Sequence, residues 1–174
     1  MAASSNTGPL IWLGKSRILE LLYKLYPGAV ISEAVYEEAV SQGIEKGHDD
    51  AHVIAKAIEE GWIRVHSTSR QFTEKVKAEE SRLGIELGEG ERETIALAIE
   101  KGIPTLLTDD EDAYRVGKSL GLDPKGTLHV LLEGVKKGYL SRKQASEHLS
   151  QMLEEGFWLS PTIVHNYHET LGKL

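Results

Sequence analysis

The strongest constraint on the fold of this chain is the junction at residues 103–112. The apolar run Ile103-Pro104-Thr105-Leu106-Leu107-Thr108 leads directly into Asp109-Asp110-Glu111-Asp112. A short β-rich segment that ends in carboxylates suits the C-terminal edge of an open α/β sheet, where such folds present polar groups to ligands. One acid there can cap the next helix. Three or four exceed that need, and clustered negative charges require water, basic partners or a cation nearby.

The flanking pattern agrees with a layered α/β fold. Brief apolar strands are expected at residues 2–6, 29–31, 62–66 and 103–108, with a minimal strand or turn at 122–126. Helical spacing is expected over 9–26, from a Ser32 cap to Gln42, from Asp49 or Asp50 to Gly61, over 70–83, over 91–101, over 112–120 and over 127–137. Residues 84–90 read as a loop. Ser141 with Gln144 forms a capping box for a helix running to Glu155, and Ser160-Pro161 opens a last helix. Alternation of this kind predicts a three-layer α/β/α fold with a mostly parallel central sheet. The last two helices have no strands between them, which predicts a C-terminal helical hairpin. The expected organisation is a single domain over 1–174, with an α/β core at 1–138 and a helical extension at 139–174.

With 174 residues, one domain buries roughly 70 % of its unfolded surface. The chain has no cysteine, which excludes disulfides, thiolate metal sites and cysteine nucleophiles. No apolar run approaches the length of a membrane span. The first residues lack the basic start of a secretory signal, so a cytoplasmic location is expected. The net charge of −7 argues against nucleic-acid binding through bulk charge, but not against acids concentrated around a cation.

Four places put a polar or acidic group at the edge of an apolar element. Asn6-Thr7-Gly8-Pro9 follows the first strand and also suits a helix-capping turn. Glu38 extends the apolar face of Ile31, Ala34 and Val35, whereas Glu37 lies round the helix toward solvent. Glu91 shares a face with Ile95, Ala98 and Ile99. Glu93 shares its face with Glu100 and Lys101, which predicts exposure. At the acidic junction, Asp110 and Asp112 are the candidate ligands, and Thr108 and Asp109 the candidate helpers. Carboxylates converging from separate elements bind hard divalent cations through oxygen, and such ions activate water against a phosphodiester.

The histidines form no tight constellation. Trp62, Phe157 and Trp158 read as core. Lys136, Lys137, Arg142 and Lys143 are the best local phosphate-contacting patch.

These residues resemble a known family. The segments Asn6-Thr7-Gly8-Pro9-Leu10-Ile11, Glu38, Gly90-Glu91-Arg92-Glu93-Thr94-Ile95-Ala96-Leu97-Ala98 and Leu107-Thr108-Asp109-Asp110 are similar to the PIN domain, in particular its short prokaryotic nucleic-acid-binding branch. Gly126-Thr127-Leu128, Lys137-Gly138-Tyr139-Leu140 and Gly156-Phe157-Trp158-Leu159-Ser160 extend the resemblance over nearly the whole chain. It implies a doubly wound sheet and a Mg²⁺- or Mn²⁺-dependent endoribonuclease acting on single-stranded RNA, toxin-like, with a small antitoxin-like partner and a homodimer, and with no membrane association. Carried over, the metal and catalytic set is Asn6, Glu38, Glu91 and Asp110, with Asp112 as a fourth acid, Thr108 orienting water or a ligand, and Asp109 alternative to Asp110 by one residue of register. Two departures stand out. Asn6 occupies the position of the family's first acid, which removes one negative charge. Tyr114 stands where a basic residue is common beside Arg115. The alternative implied by Asn6 is a catalytically weak or inactive module that binds RNA or a protein partner.

Overall fold

The computed structural model describes residues 1–174. Five strands form one all-parallel sheet: β1 (Ala2–Ser5), β2 (Gly28–Ser32), β3 (Ile63–His66), β4 (Thr105–Leu107) and β5 (Asp123–Lys125), in the order β3-β2-β1-β4-β5. The chain winds outward from β1 to β3, then restarts at β4 on the other side of β1. The reversal between β1 and β4 is the point at which an open α/β sheet leaves a crevice beyond its strand ends.

Helices cover both faces. On one lie α1 (Thr7–Lys15), α2 (Glu20–Leu25), α5 (Asp49–Glu59) and α9 (Thr127–Lys136). Their Leu10, Leu13, Leu22, Ile54 and Leu131 pack with Ile31 and Leu107 of the sheet. The other face carries α6 (Arg70–Leu83), α7 (Glu89–Lys101) and α8 (Glu111–Ser119), which bury Val76, Ile95, Ala96 and Val116 against Leu106. Neighbouring Leu106 and Leu107 thus serve opposite layers, as the two-residue period of a strand requires. No helix is long and apolar enough to cross a membrane.

Ala-Ala-Ser-Ser is poor β material by propensity, yet it is the central strand. Its small side chains let α7 lie close, and the buried Ser4 Oγ donates to the Thr94 carbonyl at 2.8 Å. Burial and a satisfied hydroxyl override local preference here.

The expected helix over 9–26 is instead two helices. Arg17 takes φ +56° between them, a left-handed conformation that no α-helix continues through. The next helical stretch is also interrupted. α3 (Glu33–Tyr36) passes through a π-helical turn, Glu37–Ser41, into α4 (Gln42–Glu45), so Glu38 lies in an expanded turn and the simple helical face assigned to it no longer applies. The expected loop at 84–90 ends sooner than its glycines suggest, because Gly88 is the N-cap of α7.

α10 (Arg142–Glu154) and α11 (Pro161–Lys173) pack on α9, and the Tyr167 hydroxyl donates to the Ala145 carbonyl at 3.2 Å. The capping box of Ser141 and Gln144 is present. Phe157 is buried and Trp62 half-buried, but Trp158 is 84 % exposed, contrary to its reading as core. It sits in the link between α10 and α11, which turns on Gly156 at φ +101°; there Phe157 fills the core position and its neighbour Trp158 is left in solvent. In the basic patch, Lys136 pairs with Glu133 and Lys143 with Glu147 on exposed helix surfaces.

Candidate functional site

Asn6 leaves the C-terminal end of β1 with its amide donating to the Leu107 carbonyl of β4 at 2.8 Å. It therefore sits across the switch point itself. It occupies the N-cap position of α1, but its side chain caps nothing. Nδ2 instead faces Oε1 of Glu91 at 3.4 Å. Oδ1 is the sole buried side-chain polar atom without a hydrogen-bond partner, and the residue is only 5 % exposed. A buried carbonyl oxygen left unpaired costs about 1–3 kcal/mol, so its retention calls for an explanation.

Glu91 and Glu38 approach through gaps left by glycine. A β-carbon at Gly88 would collide with Oε2 of Glu91. One at Gly90 would lie 2.8 and 2.9 Å from the two carboxylate oxygens of Glu38. Thr7 Oγ1 donates to Oε2 of Glu38 at 2.6 Å, which ties the π-helical turn to the start of α1. Both glutamates are half-buried.

Hydrogen bonding separates the two acids at 109–110. Asp110 is the N-cap of α8, its Oδ1 accepting from the Ala113 amide at 2.7 Å. Asp109 turns the other way. Its oxygens accept from the Thr127 amide at 2.7 Å and the Thr127 hydroxyl at 2.6 Å, and Oδ2 would lie 3.3 Å from a β-carbon on Gly8. The residue as a whole is exposed, yet its carboxylate is crowded on three sides. Desolvation pushes its pKa up, and the two bonds from Thr127 oppose that only in part. Asp109 thus turns toward Gly8 and Thr127 near the end of β1, while Asp110 caps α8 through one of its two carboxylate oxygens. Asp112 is exposed in the first turn of α8 and pairs with Arg115 at 3.8 Å. Thr108 is buried, and its hydroxyl accepts from the Asp110 amide at 3.2 Å, which makes it a brace for the turn.

Glu93 was expected to be exposed. It is half-buried and accepts from the Ala34 amide at 3.1 Å, satisfying a free donor at the start of α3. The partner lies 59 residues earlier in the chain, so helical periodicity gave no signal of it. The same blindness applies to Thr7 and Thr127, whose roles as carboxylate holders appear only when separate elements meet.

The donors fit a hard divalent cation in kind, since every one is oxygen and one is orphaned and buried. They fit less well in arrangement: no three acidic or histidine side chains converge into a metal-holding group. The carboxylates are instead tied down pairwise, by Asn6, Thr7 and Thr127.

A parallel five-stranded sheet with polar groups from β1, the π-helical turn, α7 and the β4–α8 turn gathered at its switch point defines a PIN-type architecture. A PIN-domain family model, DUF3368, matches residues 3–173, and the chain belongs to that family. Among solved structures it is similar to VapC20 of Mycobacterium tuberculosis, a sarcin-ricin loop cleaving toxin. That match has 21 % identity and a TM-score of 0.53, and covers 67 % of this chain and 95 % of that one. No curated protein matches the chain.

Proposed function

We propose that the protein is a PIN-type endoribonuclease that hydrolyses single-stranded RNA with Mg²⁺ or Mn²⁺ held by Asn6, Glu38, Glu91 and Asp109. The observation that carries this reading is the orphaned Oδ1 of Asn6, buried at the switch point beside Glu91. When bound, the cation would neutralise phosphodiester charge and lower the pKa of water. The chain's own residues do the rest. Thr7 and Thr127 hold Glu38 and Asp109 against rotation, so little ordering remains when the substrate arrives. Gly88 and Gly90 leave the space in which Glu91 and Glu38 sit. Glu91, which makes one long bond to the Asn6 side chain, would accept the proton of an attacking water. Asp110 and Asp112 stand outside this set, and Thr108 positions the turn.

VapC20 is a toxin. By analogy, this chain would act as one in the cytoplasm, restrained by a small antitoxin-like protein and assembled as a homodimer. A second reading is favoured by the amide at position 6 and by the absence of a three-carboxylate group: a weak or inactive PIN module that binds RNA or a protein partner.

Cleavage of a labelled single-stranded RNA with Mn²⁺ separates the two. Wild-type cleavage that Glu91→Gln and Asp109→Asn each reduce by about a hundredfold or more, while Asp112→Ala leaves it unchanged, supports the nuclease. Inactive wild type with active Asn6→Asp supports the binding module.

A further inference from the structure

Next to the acidic turn lies a concave cavity of about 480 Å³, bounded by the β4–α8 turn, the starts of α8 and α9, and the C-terminal hairpin. Its volume lies within the range of small-ligand sites. Leu128, Phe157 and Leu159 give it an apolar floor. Tyr114 and Ile163 stand at its rim, 45 % and 46 % exposed, so two large apolar side chains face water with no cover from this chain. Asp110, Glu111 and His129 add polar groups to the lining. Asp109 borders both this cavity and the switch-point site.

We propose that this cavity seats one nucleobase of the RNA substrate, next to the phosphodiester at the switch point, and that it selects bases carrying an exocyclic amino group over uracil. The inference rests on the RNA-cleaving reading above and adds a base preference to it.

The lining chemistry separates the base from the other parts of a nucleotide. Phosphate is disfavoured beside Asp110 and Glu111, since the wall offers acceptors and no lysine or arginine. Ribose has little use for an apolar floor. A base presents flat apolar faces for Tyr114 and the floor, as in stacking platforms for single strands. Its edge meets carboxylates that can only accept, a pattern that suits the two N–H donors of an exocyclic amino group, as at cytosine N4, better than the single uracil N3–H, whose two flanking carbonyl oxygens repel a carboxylate. Burial, then the charge of Lys125, lowers the pKa of His129, which favours a neutral ring without competing positive charge. The C-terminal hairpin thereby acquires a role: Phe157, Leu159 and Ile163 close a pocket that the α/β core alone leaves open.

The test is fluorescence anisotropy of labelled single-stranded oligo(C), oligo(A) and oligo(U) on the full chain, with Ca²⁺ as the divalent ion. Wild type should bind oligo(C) and oligo(A) about tenfold more tightly than oligo(U). Tyr114→Ala should weaken binding about tenfold, and Glu111→Ala should erase the difference between oligo(C) and oligo(U). Both residues are exposed, and matching thermal melts check that each variant folds. Equal affinity for all three oligomers, or no effect of Tyr114→Ala, overturns the proposal. So does an Ile163→Glu variant that leaves RNA affinity intact but changes the sedimentation of the protein, which would make the rim a contact between copies. Base preference without Mn²⁺-dependent cleavage would retain the pocket and remove the nuclease reading. Cleavage without base preference would do the reverse.

Discussion

Two neighbouring residues in the first turn of α7 lead to opposite kinds of environment. Arg92 donates to both carboxylate oxygens of Glu80, at 2.7 and 2.8 Å, and to the Leu87 carbonyl at 2.8 Å. Glu80 takes a further bond from the Leu87 amide at 2.7 Å. Burial works to raise the pKa of Glu80, but these partners together hold it below the usual carboxylate range. Glu91, one residue earlier, faces a single amide at 3.4 Å, beside an oxygen with no partner. The first cluster is saturated and closes the α6–α7 connection. The second retains unused bonding capacity at the edge where the strand order reverses. The difference is one of saturation: Glu80 is fully paired, whereas Asn6 and Glu91 are left short of partners.

The largest expected effect falls on the saturated cluster. Arg92→Ala should cost about 3 kcal/mol or more, because Glu80 is left buried without its cation. The midpoint of urea unfolding reads this directly, and a small shift would mean that water readily reaches Glu80.

Asn6→Asp sharpens the other side. A second carboxylate against Glu91 should destabilise the metal-free protein by roughly 1–2 kcal/mol through like-charge repulsion. Mn²⁺ should more than recover that loss, and should stabilise the variant beyond its effect on wild type. Thermal melts with Mn²⁺ and with a chelator check both halves. A variant indifferent to Mn²⁺ would show that the orphaned oxygen marks no cation site.

The pH dependence should separate Glu80 from Asp109. Glu80 has a folded pKa below its unfolded value, so its contribution is present above the unfolded pKa and is lost as pH falls through the folded one. Asp109 has a raised folded pKa, so the fold favours its protonated form, and that advantage disappears as pH rises through the folded value. Asp109→Asn should therefore gain stability relative to wild type at neutral pH and not in acid. Unfolding midpoints measured across the acid range test this.

The smallest effects belong to the acids beside Asp109. Asp110→Ala should cost about 1 kcal/mol through the lost α8 cap, while Asp112→Ala, which breaks only an exposed pair with Arg115, should leave the unfolding midpoint in place.

Much of this architecture was legible in order along the chain. The apolar run at 103–108 ends in a strand that delivers acids to the sheet edge, and the Ser141 capping box starts its helix where expected. Asn6, Glu38 and Glu91 carried signals because each is polar at the end or on the face of an apolar element. Other features depended on contacts distant in sequence. Nothing local marks the break at Arg17, the π-helical turn under Glu38 or the pairing of Glu93 with Ala34. Residues 109–112 gave four acids in a row, with no means of telling a helix cap from a ligand.

The sequence by itself determined the alternation of strands and helices, the absence of thiol chemistry and an uncharged amide at position 6. These follow from residue type and local period. Tertiary structure alone decided that Asp109 turns toward Gly8 and Thr127 while Asp110 caps α8, and that Asn6 retains an unpaired oxygen beside Glu91. The direction of a side chain and the saturation of its bonds depend on partners brought together by the sheet, and the sheet forms only when strands about a hundred residues apart pair side by side.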